Sequence, residues 1–268
     1  MVFYLEKDME KENIFSFGGG KDSTATVILA HEHGIKGKVV MAVLWFDKER
    51  NIPAIDVEHW NFIVNTIVPK FQEWGFEVEF VHAKNDYMAE FNAIINRSKI
   101  PERNGKKRGF LIAGLCRMTD NKTSAIKKIQ KKYTNCVSIQ GIAIDEPERL
   151  HRMHIRGGYS LLEEYGYTEQ MALDLCKKYG LLSPIYESKS RDGCWFCPNQ
   201  RISEWANLRE NHPELWRELE IMSNADDLVS RKIVRNDTLE DISKKIDKYL
   251  EKERLKKNQL NIFDLIGE

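Results

Sequence analysis

The sequence predicts an α/β fold: a doubly wound parallel sheet followed by a helical, cysteine-bearing C-terminal part. Three observations carry this reading. Strand-like and helix-like patterns alternate through the first half of the chain, as β-α-β units require. A glycine-rich turn, Phe17-Gly18-Gly19-Gly20-Lys21, separates the first strand pattern from the first helix pattern. Strand signals then fade after about Ala143, where helical runs and a Cys-x-x-Cys turn take over. The expected organisation is an α/β domain over residues 1–150, a helical subdomain over 151–238, and a charged helix with a tail over 239–268.

The elements follow in order. Residues 13–17 are a short apolar run and read as a strand, and 23–33 read as a helix. Residues 38–45 are β-rich, 57–74 read as one long helix, and 77–82 as another strand. Helical patterns recur at 87–96 and 121–133, and 135–144 is a strand ending in a glycine-containing loop. Helices are expected at 168–179, 201–211 and 213–223, with a charged amphipathic helix at 239–257. In open parallel sheets, ligands bind at the carboxyl ends of the strands, where the glycine turn sits.

Composition narrows the class. With 268 residues, 42% hydrophobic and 31% charged, the chain suits a globular protein of one large domain or a domain plus subdomain. Its apolar runs, such as residues 39–46, are too short to span a bilayer, and the N-terminus lacks a signal-peptide pattern. A cytoplasmic protein without a membrane partner is expected. The formal net charge is zero, so no whole-molecule field draws the chain to nucleic acid. Locally the balance differs. Between Arg97 and Lys132 there are twelve Lys or Arg residues against two acids, Glu102 and Asp120. Such a stretch is either a solvated helix face or a surface for an anionic polymer.

The stretch Ser16-Phe17-Gly18-Gly19-Gly20-Lys21-Asp22-Ser23-Thr24 has the makings of a phosphate site. Three glycines let backbone N–H groups approach an anion closely. Ser23 and Thr24 can help satisfy the free amides of the helix start, and the helix N-terminus favours negative charge. Lys21 adds a point charge. Because Asp22 follows Lys21, the spacing is not that of a G-x-x-x-x-G-K-[ST] loop. It resembles the S-G-G-K-D-S signature of PP-loop ATP pyrophosphatases, with Gly18 in place of the first Ser.

Five cysteines are present: Cys116, Cys136, Cys176, Cys194 and Cys197. Cys194-Trp195-Phe196-Cys197, flanked by Gly193 and Pro198, is a tight turn that can aim two thiolates at one metal, although redox dithiols share the pattern. Cys116 and Cys176 are the candidates for the remaining soft ligands, and Cys136 sits in a strand pattern as a small core residue. A four-thiolate site holds either a 4Fe-4S cluster or Zn2+, and spacing does not decide between them.

These segments together resemble the phosphoadenosine phosphosulfate reductase family within the PP-loop superfamily. The resemblance rests on residues 16–24, on Leu44-Trp45-Phe46-Asp47 with Pro53, on residues 116–128, on Gly141-Ile142-Ala143-Ile144-Asp145-Glu146-Pro147-Glu148-Arg149, and on the Cys-x-x-Cys turn. It implies a Rossmann-like nucleotide domain with Asp47 beside the nucleotide, and Glu146 and Arg149 lining the site, Arg152 being a further contact. It also implies ATP as substrate with Mg2+, the loop around Gly18, Gly19 and Gly20 holding phosphates, and Lys21, Asp22 and Ser23 acting in catalysis. The departures matter equally. Sulfonucleotide reductases of this family carry a nucleophilic cysteine in a C-terminal tail, and here no cysteine follows Cys197. The Cys-Cys pair of cluster-containing members is also incomplete, since Arg117 follows Cys116. The pattern looks closer to sulfurtransferases of DNA phosphorothioation and RNA thiolation. The implied activity is adenylation of a substrate for sulfur transfer to nucleic acid, DNA favoured over tRNA, fed by a sulfur donor such as a cysteine desulfurase. The alternatives are a sulfonucleotide reductase using an external thiol, and a noncatalytic nucleotide-binding module.

Near the C-terminus, Gln259-Leu260-Asn261-Ile262-Phe263 resembles the bacterial sliding-clamp-binding peptide Q-L-x-[LI]-F. Leu260, Ile262 and Phe263 suit an apolar groove, with Gln259 hydrogen-bonding at its edge. The other reading is a hydrophobic latch packed on its own domain.

Overall fold

The computed structural model describes residues 11–111, 116–187 and 192–266, with side chains through residue 256. The chain runs β1 (Glu12–Phe17), α1 (Lys21–Glu32), β2 (Lys38–Val43), β3 (Trp45–Asp47), β4 (Ile52–Pro53), α2 (Val57–Phe62), α3 (Val68–Glu73) and β5 (Glu77–His82). It continues with α4 (Tyr87–Asn92), β6 (Lys107–Gly109), α5 (Arg117–Lys132), β7 (Cys136–Gln140), α6 (Pro147–Ile155), α7 (Leu161–Glu164) and α8 (Glu169–Lys178). It ends with α9 (Ile202–Asn211), α10 (Pro213–Ser223), β8 (Leu228–Ser230) and α11 (Leu239–Ile266). Among the described residues no helix is long and apolar enough to cross a membrane.

Two compact units emerge. The first is residues 1–86 with 118–193, and the second is residues 87–117 with 194–268. This division cuts across boundaries at 150 and 238. Residues 151–193 pack with the sheet, and residues 87–117 pack with the C-terminal helices.

The first unit is α/β, with a central parallel sheet in the order β5-β2-β1-β7 flanked by helices. Val39, Val40 and Met41 of β2 are all buried, as a strand covered on both faces requires. Phe15 and Phe17 of β1 face the main core, whereas Ser16 between them is exposed, the period of two expected of a strand. Helix α1 is buried on every residue from Thr24 to Ala30, because it lies between the sheet and helices α7 and α8. The long helix expected at 57–74 is two helices joined by a π-helical turn, Ile63–Ile67. Pro69 accounts for this: it donates no hydrogen bond and crowds the preceding turn, and a widened turn relieves both. The strand order reverses beside β1: β2 and β5 lie on one side of it and β7 on the other. The carboxyl ends of β1 and β7 therefore form a switch point, where such sheets open a crevice.

In the second unit β6 pairs in parallel with β8. Gly109 makes this approach possible: its φ is +81°, and a Cβ there would lie 2.1 Å from the Ser230 carbonyl oxygen. Helix α9 packs against both α10 and α11, with Trp205 and Trp216 meeting edge to face at 6.4 Å. The helix expected at 87–96 stops at Asn92. Helix α11 runs beyond the expected 257 to Ile266 and takes Gln259, Leu260, Ile262 and Phe263 into its backbone. The side chains of these four clamp-motif residues lie outside the described residues.

Candidate functional site

At the switch point, an open pocket of about 380 Å3 is lined by the glycine loop, the ends of β1 and β7, and residues of α5, α6 and α8. The loop is built by its own side chains. The Gly18 N–H donates to Ser23 Oγ at 3.3 Å, and that hydroxyl donates to the Gly20 carbonyl at 2.9 Å. The Thr24 hydroxyl donates to the same carbonyl at 3.1 Å. Ser23 and Thr24 therefore brace the loop rather than cap the amides of α1, whose N-cap, Gly20, makes no side-chain capping bond. Ser23 lines the pocket, and Thr24 is buried behind it.

Each glycine has a distinct reason. Gly19 has φ +87°, and a Cβ there would come within 2.4 Å of Ile63 Cδ1 and 3.1 Å of His59 Nε2. A Cβ on Gly20 would press on the Tyr186 hydroxyl at 3.3 Å. At Gly18 nothing lies within 4 Å, so its face is open to a ligand. Gly141, just past β7, is closed in by backbone atoms rather than by a side chain. A Cβ there would lie 2.6 Å from the Asp22 carbonyl group and the Ser23 nitrogen. The two loops of the switch point thus touch backbone to backbone.

Charge is concentrated where they meet. Lys21 Nζ donates to both Asp22 oxygens at 3.0 Å and lies 3.3 Å from Glu169 Oε1. Burial alone would lower the Lys21 pKa, but the Asp22 and Glu169 carboxylates outweigh it and raise it. Burial pushes the Asp22 carboxyl above its usual range; Lys21 opposes this, while Glu169 and Glu146 add to it. One oxygen from each of Asp22, Glu146 and Glu169 lies within 4.8 Å of the others. The Arg149 guanidinium pairs with Glu146 Oε1. Glu146 Oε2 is buried with no hydrogen-bond partner among the described residues. Two cations thus face three carboxylates.

The framework that delivers these groups comes from separate parts of the chain. Asp145 accepts from the Glu169 N–H at 3.1 Å, and the Thr168 hydroxyl accepts from Met171 N, so Asp145 and the N-cap together fix Glu169. Tyr186 Oη accepts from the Lys21 N–H at 3.0 Å. His59 is fully buried beneath Gly19, with Nδ1 2.8 Å from Ser183 Oγ. Val40 and Ala42 of β2 and Ile126 and Ile129 of α5 add apolar side chains to the lining of the pocket.

Among the expected site residues, Ser16, Gly18, Gly20, Lys21, Asp22, Ser23 and Arg149 line this pocket. Glu146 joins them through the carboxylate cluster. Asp47 is engaged elsewhere: it accepts from Arg50 N at 3.0 Å and from Arg50 Nε at 2.7 Å in the β3–β4 turn, and it does not line the pocket. Arg152 is exposed and reaches Glu148 at 4.0 Å. Glu169, Tyr186 and His59 escaped the sequence reading. The only local signal was Thr168 at a helix start, which marks a cap but not a site.

The cysteines divide between the units. Cys176 is fully buried in the first, where its thiol donates to the Lys21 carbonyl at 3.2 Å. Burial pushes that thiol up to about 12, so it holds its proton at neutral pH. Through its bond to the Lys21 carbonyl, Cys176 braces the glycine loop. Cys116, Cys194 and Cys197 belong to the second unit and are half-buried. There the buried Tyr87 phenol is raised first by burial and then by the charges of these three cysteines, so all three lie within electrostatic reach of one hydroxyl. The Cys197 N–H donates to the Cys194 carbonyl at 3.0 Å, closing the turn. Trp195 and Phe196 within it are core aromatics, 2% exposed each.

The chain matches no protein-family model and no curated protein.

Proposed function

We propose that this chain cleaves ATP between its α- and β-phosphates and adenylates a substrate for sulfur transfer to nucleic acid, with DNA favoured over tRNA. The observation that carries the reading is a glycine loop, a lysine and three carboxylates converging at the switch point of a parallel sheet. The open face of Gly18 and the start of α1 suit phosphate oxygens. Lys21, once released from Asp22 and Glu169, offsets charge developing on the leaving pyrophosphate. Val40, Ala42, Ile126 and Ile129 offer apolar walls for a purine ring.

The acid cluster fits Mg2+. Three hard oxygen donors converge, and one of them, Glu146 Oε2, is buried without a hydrogen-bond partner among the described residues. When bound, the ion would neutralise phosphate oxygens. Asp22, Glu146 and Glu169 would hold it, and Arg149 would keep Glu146 oriented. Cys116, Cys194 and Cys197 offer three thiolates to an iron–sulfur cluster or zinc.

The deciding experiment follows AMP and pyrophosphate release from ATP, with single-stranded DNA and tRNA as acceptors and sulfide as the sulfur donor that displaces AMP, for the unchanged chain and for Lys21→Ala. Stoichiometric AMP and pyrophosphate are expected, with turnover falling roughly 100-fold or more in the variant. Preferential binding of phosphoadenosine phosphosulfate over ATP would replace this reading with that of a thiol-borrowing reductase. Absence of pyrophosphate with every acceptor would leave a noncatalytic nucleotide-binding module. Iron, sulfide and zinc content of anaerobically purified protein assigns the cysteine site.

A further inference from the structure

The second unit contains a cavity of about 720 Å3 that the nucleotide reading does not use. Six cations line it: Arg103, Arg108, Arg117, Arg231, Lys232 and Arg235. They come from two distant stretches, 95–117 and 229–238, brought side by side by the β6–β8 pair. No carboxylate lines the cavity among the described residues. Arg108 is committed to Glu90, and Arg231 donates to the Ser223 and Ala225 carbonyls. Arg103, Arg117, Lys232 and Arg235 are exposed and form no ion pair among the described residues. Apolar residues line the cavity beside the cations: buried Phe110 and Leu111, and half-buried Ile95 and Val229.

We infer that this groove binds a single-stranded nucleic acid. The chain's net charge is zero, so four unpaired cations converging on one concavity are a local arrangement and not a general basic character. A polyanion supplies the missing counter-charge. A lining that mixes apolar residues with cations suits unpaired bases, which a duplex keeps stacked inside. Guanidinium planes serve both phosphates and base faces. The other basic surface, Lys127, Lys128 and Lys131 on α5, is a single helix face with charges at helical spacing and no apolar lining, as solvation alone explains. The inference deepens the proposed function by giving its acceptor a binding face, yet strand binding is measurable without ATP.

The test is fluorescence anisotropy of labelled fifteen-residue oligo-dT and oligo-U with the full chain across a salt series. Comparison is made with the Lys232→Ala/Arg235→Ala and Lys127→Ala/Lys131→Ala double variants. The groove variant is expected to bind at least tenfold more weakly, with a log–log salt slope shallower by about 1.4, or ~0.7 for each lost phosphate contact. The α5 variant is expected to bind as the unchanged chain does. The two oligonucleotides show whether the sugar matters. No binding at micromolar protein, tighter binding of a duplex of the same length, or an equal loss in the α5 variant would overturn the inference. Thermal melting checks that both variants fold. Strand binding lost with AMP formation intact sinks the groove alone; AMP formation absent with strand binding intact sinks the proposed activity alone.

Discussion

The two basic regions of this molecule treat their charges in opposite ways. At the switch point of the first unit, Lys21 is held by Asp22 and Glu169, and Arg149 by Glu146. In the groove of the second unit, Arg103, Arg117, Lys232 and Arg235 meet no carboxylate among the described residues. A site that neutralises its own cations suits a ligand that arrives with both signs, such as a nucleotide with its metal. A site that leaves them unpaired suits an anion that sheds its own counterions on binding. The difference also sets the salt response. Partly buried pairs are screened weakly and exposed cations strongly, so the two activities should separate as ionic strength rises.

The sharpest way to break the first site is to separate its two loops. Gly141→Ala places a methyl group 2.6 Å from the backbone of Asp22 and Ser23, where no flexible side chain can yield. A cost of about 1–3 kcal/mol is expected, with ATP binding lost and the groove of the second unit unaffected. Calorimetry with ATP beside oligonucleotide anisotropy on the same sample checks this. Loss of both together would show that the two regions do not act separately.

The first site was legible only where its parts are close in sequence. β1, the glycine turn and the start of α1 follow one another, so strand period, glycine chemistry and helix start could be read together. Glu146 was named only through the family resemblance of the loop at 141–149, which follows the strand pattern at 135–144. Tyr186 reaches Lys21 across 165 residues, and nothing near Tyr186 marks that contact. Glu169 reads as an ordinary first-turn acid, and its role depends on Asp145, 24 residues earlier. Asp47 shows how a local partner enters the picture. Its position after β2 is right for a nucleotide contact, but Arg50 three residues on captures it locally. The groove was half visible as a basic run from residue 97, while its partner strand and the cations of 231–235 come from the far end of the chain. The π-helical turn shows the same limit on a smaller scale: Pro69 was plain in the sequence, but whether a helix breaks or widens around it depends on packing.

A smaller effect sharpens the idea that the first site expects a cation. Glu146→Gln keeps the size of the side chain and an acceptor for Arg149 but removes one of three clustered charges. The Mg2+ concentration needed for half-maximal AMP formation should rise about tenfold, near the ~1.5 kcal/mol of one charged contact. Oligonucleotide binding to the groove should not change. An unaltered Mg2+ requirement would remove Glu146 from the cation site and leave it a partner of Arg149 only.

The smallest expected effect concerns the thiol beneath the loop, and it contrasts the cysteines of the two units. Cys176 keeps its proton up to about 12 in the folded chain because it is buried, whereas an ordinary thiol titrates near 9.0. Below pH 9 both folded and unfolded states hold the proton, and stability does not depend on this group. Above it the unfolded chain releases the proton first, so stability falls as pH rises from about 9 toward 12. Cys176→Ser retains a donor to the Lys21 carbonyl without titrating in that range. The urea midpoint of the unchanged chain should therefore drop more between pH 8 and pH 10.5 than that of the variant. Other alkaline groups, such as Tyr179, pushed up to about 12 chiefly by its bond to Glu32, are common to both chains and cancel in the comparison. In protein stripped of metal by a chelator, the half-buried Cys116, Cys194 and Cys197 should react with iodoacetamide at pH 8 while Cys176 stays unmodified until urea is added. Rapid native alkylation of Cys176 would show that its thiol is open to solvent and does not brace the glycine loop.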